Sequence, residues 1–169
     1  MKIELKEIES FPAELSLRAE PAELDFELDE VRLSGGVAVD LSLQRTEDEY
    51  FVNGELTAVA ETDCARCLEP ALLELHSQLS LIALRPTAED RDKYRESDEE
   101  IIELGTEEVL ELDDQIRQGL LAEVPLKPLC REDCKGLCPV CGANKNISEC
   151  DCETSERDSR WDALRDFAE

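Results

Sequence analysis

The chain has 169 residues, with 18 Lys and Arg against 43 Asp and Glu, and a formal net charge of −25. This length predicts one domain, or one domain with a small appendage, and no apolar run approaches the ~20 residues of a membrane-spanning helix. Because so acidic a surface repels nucleic acid at long range and attracts basic partners, the composition excludes proteins that bind nucleic acid through a general excess of positive charge.

Four strands are predicted in the first third of the chain. Three of them are short and cover about residues 2–8, 14–19 and 24–33. The fourth has apolar residues at every second position, which is the pattern of a half-buried strand: Val37, Val39, Leu41 and Leu43. Gly35 and Gly36 precede this strand, and the polar residues 46–49 predict a turn after it.

Two longer strands follow, over about residues 50–62 and 71–84. The first carries Leu56, Ala58 and Ala60 in alternation, and one face of the second is shared by Ala71, Leu73, Leu75, Leu79 and Leu81. The stretch between these strands contains Cys64 and Cys67 and ends at Pro70. This pair of cysteines is therefore expected at the tip of a β-hairpin, where a tight turn can point both sulfurs at one ion.

Residues 89–100 are mostly charged and predict a solvated loop or linker, after which residues 101–104 can add one more strand. Asp113 or Asp114 is predicted to cap a helix, which Pro125 and Pro128 end. Its apolar stripe consists of Ile116, Leu120, Leu121 and Val124. A short terminal helix is predicted after Thr154 or Ser155, with four residues at helical spacing: Trp161, Leu164, Arg165 and Ala168.

Eight cysteines occur as four close pairs: Cys64/Cys67, Cys130/Cys134, Cys138/Cys141 and Cys150/Cys152. Four thiolates complete a tetrahedral Zn²⁺ site, so the pairs predict two zinc ions per chain. The competing interpretation is a disulfide framework, which needs an oxidising compartment. The first residues of the chain are charged and contain no apolar signal-peptide region. The expected compartment is therefore the reducing cytoplasm, where paired cysteines more often bind metal.

The four pairs can be divided between two ions in three ways. Cys138, Cys141, Cys150 and Cys152 lie within fifteen residues and can close one site, with Gly142 supplying a positive φ after the turn. Cys64 and Cys67 would then meet Cys130 and Cys134, joining the hairpin tip to the segment after the helix. The rival division pairs 64/67 with 138/141, as in a zinc ribbon. Compactness favours the first division.

A catalytic role is not expected from these cysteines. Catalytic zinc keeps three protein ligands and a water, whereas four cysteine pairs fill two closed sites. The single histidine, His76, lies in a predicted strand beside no motif. No nucleophile elbow, phosphate loop or dinucleotide fingerprint occurs, so neither an enzyme nor a small-molecule substrate is predicted. A redox sensor that releases zinc is the alternative, although redox Cys-x-x-Cys pairs belong on a helix N-terminus.

The acidity is concentrated at the front of the chain. Residues 1–126 hold 11 Lys and Arg against 33 Asp and Glu, whereas residues 134–148 contain no acid at all. Four cations near the tail cysteines are the candidates for contact with a phosphate backbone: Lys127, Arg131, Lys135 and Lys145. Their alternative role is to offset the charge of the thiolates.

Several segments of this sequence resemble the YceD family, whose members are called large ribosomal RNA subunit accumulation proteins. They are Cys64-Ala-Arg-Cys67-Leu-Glu-Pro70, Val124-Pro-Leu-Lys-Pro-Leu-Cys130, Cys134-Lys-Gly-Leu-Cys138-Pro-Val-Cys141-Gly-Ala-Asn144, Cys150-Asp-Cys152 and the ending Asp158-Ser-Arg-Trp161. The resemblance, to a zinc-binding subtype, implies a bacterial cytoplasmic factor needed for accumulation of large-subunit rRNA. It also implies a gene often found beside that of a small basic ribosomal protein. Some members lack the tail cysteines but keep the positions of the other four, which supports the first division.

The sequence thus predicts an α+β protein, with a β-rich, antiparallel and barrel-like sheet and one or two helices. Residues 1–126 form the acidic β-rich domain, and residues 127–169 form a cysteine-rich tail that binds zinc and ends in a helix. The expected function is non-enzymatic and belongs to ribosome biogenesis. The expected ligand is a large-subunit rRNA precursor, a small basic ribosomal protein, or both, with no membrane involved.

Overall fold

The computed structural model describes residues 1–26, 31–47, 49–85 and 100–153. These residues contain eight strands, one 3₁₀ turn and one α-helix. The strands are β1 (Lys2–Glu4), β2 (Ala13–Ala19), β3 (Val31–Leu33), β4 (Val37–Thr46), β5 (Glu49–Asp63), β6 (Pro70–Leu84), β7 (Glu100–Glu103) and β8 (Val109–Glu111). The 3₁₀ turn covers Leu5–Glu7, and the helix, α1, covers Asp113–Ala122.

Six strands form one sheet in the order β2-β4-β5-β6-β7, and β3 pairs with β5 beyond the end of β4. The pairings are antiparallel except that of β6 with β7, which is parallel. The strands β1 and β8 form a separate antiparallel pair. The predicted β-rich α+β class is confirmed. Within the described residues, however, the sheet is open rather than closed into a barrel.

The sheet is built around the β5–β6 hairpin, whose strands are 15 residues long. They pair from Glu49 opposite Leu84 to Asp63 opposite Pro70. At ~3.3 Å per residue the hairpin spans about 45 Å, so its tip lies far from the other end of the sheet. Alternate side chains are buried on the inner face. We call the opposite, solvent-facing side of β2, β4, β5 and β6 the outer face.

Helix α1 covers the inner face of β5 and β6 and sets the path of the chain toward the tail. Ile116 and Leu120 are fully buried. A Cβ on Gly119 would lie 3.0 Å from Ser77 Oγ and 3.3 Å from Leu56 Cδ1, so the helix backbone packs directly on the sheet. The chain leaves this helix toward the hairpin tip, which brings the cysteines of residues 130–134 near those of residues 64–67.

Several predicted elements differ from the structure. Leu112, not Asp113 or Asp114, is the N-cap of α1. The two aspartates lie in the first turn, where a negative carboxylate interacts favourably with the helix dipole and stabilises the helix. Of the described residues in the range 24–33, Val31–Leu33 form a strand, whereas the buried Leu24 lies in a turn in which Asp25 has a φ of 47°. The range 2–8 becomes a 3₁₀ turn after Glu4.

Two further predictions, the charge run over residues 89–99 and the terminal helix after residue 154, lie outside the described residues. No helix in the described part of the chain is long and apolar enough to cross a membrane.

Candidate metal centres

The hairpin tip and the segment after α1 bring four cysteines together: Cys64, Cys67, Cys130 and Cys134. Their sulfur atoms all lie within 4.8 Å of one another. The Sγ atoms of Cys64 and Cys134 are 3.8 Å apart, and those of Cys67 and Cys130 are 3.6 Å apart. Cys130 is exposed and the other three are buried. We call this set the first cysteine group.

The tail forms the second cysteine group from Cys138, Cys141, Cys150 and Cys152, whose sulfur atoms also lie within 4.8 Å of one another. Cys138 is buried, Cys141 is exposed, and the other two are half-buried. The eight sulfurs therefore fall into the two sets that compact spacing favours in the sequence. That these sets hold metal stays a prediction.

The distances in the first group fit a tetrahedral thiolate site rather than disulfides. A zinc ion bound ~2.3 Å from each sulfur would separate the sulfurs by about 3.8 Å, close to the observed 3.6 and 3.8 Å. A disulfide needs about 2.05 Å between sulfurs, and all eight cysteines are free thiols. Four soft sulfur donors at this spacing suit Zn²⁺.

Two turns with the same hydrogen bonds hold the Cys-x2-Cys pairs. We call residues 64–69 the first knuckle and residues 138–143 the second. In each, the carbonyl of the first cysteine accepts the N–H four residues later, that of Leu68 or Gly142, at 2.9 Å. In each, the first cysteine's own N–H donates to the carbonyl five residues later, at 2.9 and 2.8 Å. Leu68 and Gly142 have φ values of 61° and 73°. The positive φ at Gly142 was expected, but that at Leu68 was not.

Backbone amides favour the thiolate of the first cysteine in each knuckle. Burial acts to raise the pKa of Cys64. The N–H groups of Cys130, Arg66 and Cys67 donate to its sulfur, outweigh that effect and lower the pKa to about 6. At Cys138 the amides two and three residues later lower the pKa to about 6 against the opposing effect of burial.

Other sulfurs in the same groups are driven toward the protonated form. Burial, followed by the neighbouring thiols, raises the pKa of Cys130 to about 12. The neighbouring sulfur of Cys141, together with burial and Cys138, raises the pKa of Cys152 to about 12. Adjacent thiolates repel one another, so four of them coexist only around a cation. Each group could therefore hold a metal ion.

Arg66 in the first knuckle clamps the tail against the hairpin. Its Nη1 donates to the carbonyl of Cys134 at 2.9 Å and to that of Glu132 at 3.3 Å. Its own carbonyl accepts the N–H of Leu137 at 3.0 Å. Sequence reasoning missed Arg66, because the residues that it contacts are more than 60 positions away in the chain.

Two asparagines connect the cysteine groups. The Asn146 side chain contacts the sulfur of Cys134, and the Asn144 side chain reaches Glu69 in the first knuckle at 3.4 Å. Sequence reasoning missed both as site residues. The available signal was the Asn144-x-Asn146 pair within the acid-free residues 134–148, since asparagine commonly closes turns.

The four candidate cations all lie near the cysteine groups but differ in exposure. Lys127, Arg131 and Lys135 are exposed, and Lys145 is half-buried. Arg131 is also engaged within the protein, since its Nη2 donates to Asn146 at 2.8 Å and its Nε lies 3.4 Å from Asp133. Lys127 and Lys135 are therefore the cations whose replacement tests surface binding most cleanly.

The comparisons with known proteins point to one family. The family model described as "Large ribosomal RNA subunit accumulation protein YceD" matches residues 52–168, a range that includes both cysteine groups. No solved structure matches.

Relatives occur in mycobacteria and in plants. The chain is 30% identical over 144 residues to an uncharacterized protein of Mycobacterium tuberculosis, covering 85% of this chain and 68% of the relative. Two plant relatives are named large ribosomal RNA subunit accumulation protein YCED homolog 1, chloroplastic. The one from Zea mays is 25% identical over 142 residues, covering 69% of this chain and 48% of its own length. The one from Arabidopsis thaliana is 26% identical over 156 residues, covering 79% and 49%.

Proposed function

The chain belongs to the YceD family of large ribosomal RNA subunit accumulation proteins, and from this premise we propose that it promotes the accumulation of large-subunit rRNA by binding, without catalysis. The family's name describes a process rather than a reaction, and plant relatives share that name. We include a bacterial cytoplasm in the proposal, because the relatives include mycobacterial proteins and the sulfur distances in the first group fit metal ligands rather than disulfides, as in a reducing compartment.

We propose that each cysteine group holds one Zn²⁺. The ion supplies a structural crosslink, with all four protein ligands engaged and no position left for a substrate. The first group would join the hairpin tip to the tail, and the second would close the tail on itself. We also propose that the chain consists of an acidic domain, residues 1–126, and a cysteine-rich tail, residues 127–169. The second group then belongs wholly to the tail.

The observation that carries the binding proposal is the clamp between the hairpin tip and the start of a locally cationic stretch, residues 127–146, which holds four cations against two acids. Arg66 and the first cysteine group hold residues 127–137 at the end of the sheet. Lys127 and Lys135 are exposed there. Exposed cations on a rigid segment can contact phosphates even in an acidic protein, because such contacts are local and the long-range repulsion is screened by salt. We propose that this end contacts the rRNA precursor.

The test is binding of a large-subunit rRNA precursor fragment to the zinc-loaded chain across a range of salt concentrations. Lys127→Glu/Lys135→Glu should abolish specific binding. Neutral replacement of either lysine should reduce the slope of log affinity against log salt by about one per lost phosphate contact. Each single variant, Lys127→Glu or Lys135→Glu, is compared with Lys6→Glu, which changes the net charge equally. Lys6 lies away from the hairpin tip, because it donates to the carbonyl of Thr106, which also accepts from Arg85 just beyond the far end of β6. Equal losses in all variants would mean general charge repulsion and reject the proposed site.

The second candidate ligand, a small basic ribosomal protein, is favoured by the outer face of the sheet. Its exposed acids are Glu14, Asp40, Glu55, Glu61, Asp63 and Glu74. Asp40 lies directly opposite Glu55 in the β4–β5 register. Like charges in that position destabilise a sheet, and a cationic partner would relieve the repulsion. A protein that binds both ligands would bring them together.

A further inference from the structure

Asn146 uses both ends of its side-chain amide around the first cysteine group. Its Nδ2 donates to the Sγ of Cys134 at 3.3 Å and to Asn144 Oδ1 at 2.9 Å. Its Oδ1 accepts from the backbone N–H of Lys135 and from Nη2 of Arg131, both at 2.8 Å. Because the oxygen faces two donors, the orientation of the amide is determined, and the NH₂ group must face the sulfur.

The backbone of Asn146, by contrast, lies in the segment that joins the cysteines of the second group. It lies between the second knuckle and Cys150, in a turn where the carbonyl of Asn144 accepts the N–H groups of Ile147 and Ser148 at 3.0 Å. The chain on each side of this turn leads to cysteines of the second group. Joining those cysteines through one metal ion therefore fixes the turn, and with it the position of the Asn146 side chain.

We propose that Asn146 is a positioning residue that couples the two metal centres. Metal in the second group holds the Asn146 amide against Cys134, and this contact strengthens metal binding in the first group. The inference rests on the metal binding proposed above. A neutral N–H donor offsets part of the charge of a metal-bound thiolate, and hydrogen bonds to charged groups are the stronger class. Since coupling is reciprocal, metal in the first group strengthens binding in the second by the same factor.

The first arm of the test measures zinc affinity by chelator competition on the full chain. Asn146→Ala should lower the zinc affinity of the first group about tenfold to a hundredfold. Ser148→Ala is the matched control, because Ser148 lies in the same turn and its hydroxyl contacts the Asn144 carbonyl at 3.4 Å rather than a sulfur. This control should keep the affinity of the wild type.

The second arm separates coupling from a local effect. Cys150→Ser/Cys152→Ser removes the second site and leaves Asn146 in the chain. The first group should lose affinity by a similar factor, and adding Asn146→Ala to this variant should cause little further loss. Fully additive losses would show that Asn146 and the second group act independently and would overturn the coupling. If Asn146→Ala does not fold, the double serine variant still tests the coupling. An unchanged zinc affinity of the first group in Cys150→Ser/Cys152→Ser would overturn the coupling on its own.

The absorption spectrum of the cobalt-substituted protein provides a second measurement. This spectrum would not change if Asn146 only supported the fold without contacting the sulfur. Loss of the N–H···S bond raises the energy of the thiolate electrons, so the sulfur-to-cobalt charge-transfer absorption should shift to longer wavelength in Asn146→Ala but not in Ser148→Ala. A wild-type chain that binds fewer than two ions overturns the metal assignment itself. Two ions in the wild type, with unchanged affinity and spectrum in Asn146→Ala, overturn only the role of Asn146.

Discussion

Gly136 lies where the tail packs against the hairpin tip. Its φ is 70°, and a Cβ there would lie 2.9 Å from the carbonyl oxygen of Arg66. That oxygen also accepts the N–H of Leu137 at 3.0 Å. Gly142 in the second knuckle has a φ of 73°, but a Cβ there would meet nothing within 4 Å. The two glycines share a strained backbone conformation and differ in the space around them.

Alanine at these two glycines should therefore have unequal effects. Both variants place a side chain at positive φ, which costs about 1–2 kcal/mol. Only Gly136→Ala also pushes the tail away from Arg66, so it should cost at least about 2 kcal/mol more and weaken metal binding in the first group. Urea unfolding and zinc retention of the loaded chain measure both effects. Equal destabilisation by the two variants would contradict the close contact at Gly136.

The residues that carry the candidate sites were only partly predictable from the sequence. Pairs such as Cys138 and Cys141 are recognisable because ligands from one turn must be close in the chain. Gly142 was recognisable because a positive φ favours glycine. Leu68, which takes the same conformation in the first knuckle with an exposed side chain, contradicts that preference. Arg66 and Asn146 act across distances that only the folded chain closes.

Among the elements, the tip of the β5–β6 hairpin supplies half of the first cysteine group, whereas the second group lies wholly in the tail. The tip of this hairpin, whose two strands have 15 residues each, is far from the helix-covered part of the core. Cys64, Cys67 and Ala71 form a separate buried cluster with Cys134 and with the half-buried Leu129 and Leu137. A metal ion there would close the long loop from Cys67 to Cys130.

Serine substitution in the two groups should separate these roles. The wild-type chain should carry two Zn²⁺ by elemental analysis. Cys64→Ser should lose the first ion and about 3 kcal/mol or more of stability, comparable to the loss of a crosslink that closes a long loop. Cys150→Ser should leave the sheet folded and retain one ion at saturating zinc. Thermal unfolding and hydrogen exchange of β5 and β6 report the difference.

Two results would contradict this assignment. Equal global unfolding of Cys64→Ser and Cys150→Ser would indicate that the zinc-ribbon division is correct. A wild-type chain with intact disulfides and one ion or none would favour the redox alternative over structural metal.

The local sequence pattern was sufficient to predict most elements. It failed where a segment forms a strand only by pairing with a distant part of the chain. Alternation of apolar residues predicted β4, β5 and β6 closely, because each has one buried face. The short strand β8 was missed, since its three residues become a strand only by pairing with β1. The segment of β7 was predicted, but its parallel pairing with β6 was not, because local alternation does not say which strand a segment pairs with or in which direction.

In the molecule as a whole, the two candidate ligands suit surfaces of different charge. The outer face is acidic, whereas the segment from Cys134 to Ser148 contains no acid. The proposed contacts with rRNA and with a basic protein would therefore use different surfaces. Changes to one surface should leave the other ligand bound, because exposed charges farther apart than about 8 Å are largely screened at physiological salt.

Neutralising the outer face tests the basic-protein candidate. Glu55→Gln/Glu61→Gln/Glu74→Gln should slow association with a small basic large-subunit ribosomal protein and reduce its salt dependence. The same chain should gain a little stability, about 0.2–1 kcal/mol, because Glu55 no longer repels Asp40 across the β4–β5 pair. Association rates measured at several salt concentrations, together with urea unfolding, report the two effects separately.

The control for that experiment is Glu4→Gln/Glu7→Gln/Glu107→Gln, which removes three exposed acids away from the outer face and so changes the net charge equally. If the outer face is the docking surface, this control should reduce the association rate much less than the first triple variant. Equal slowing by both would mean that net charge alone attracts the basic protein, and no change in either would exclude it as a ligand of the outer face. In that last case the lysine variants at the cysteine-rich end decide whether rRNA is the direct ligand.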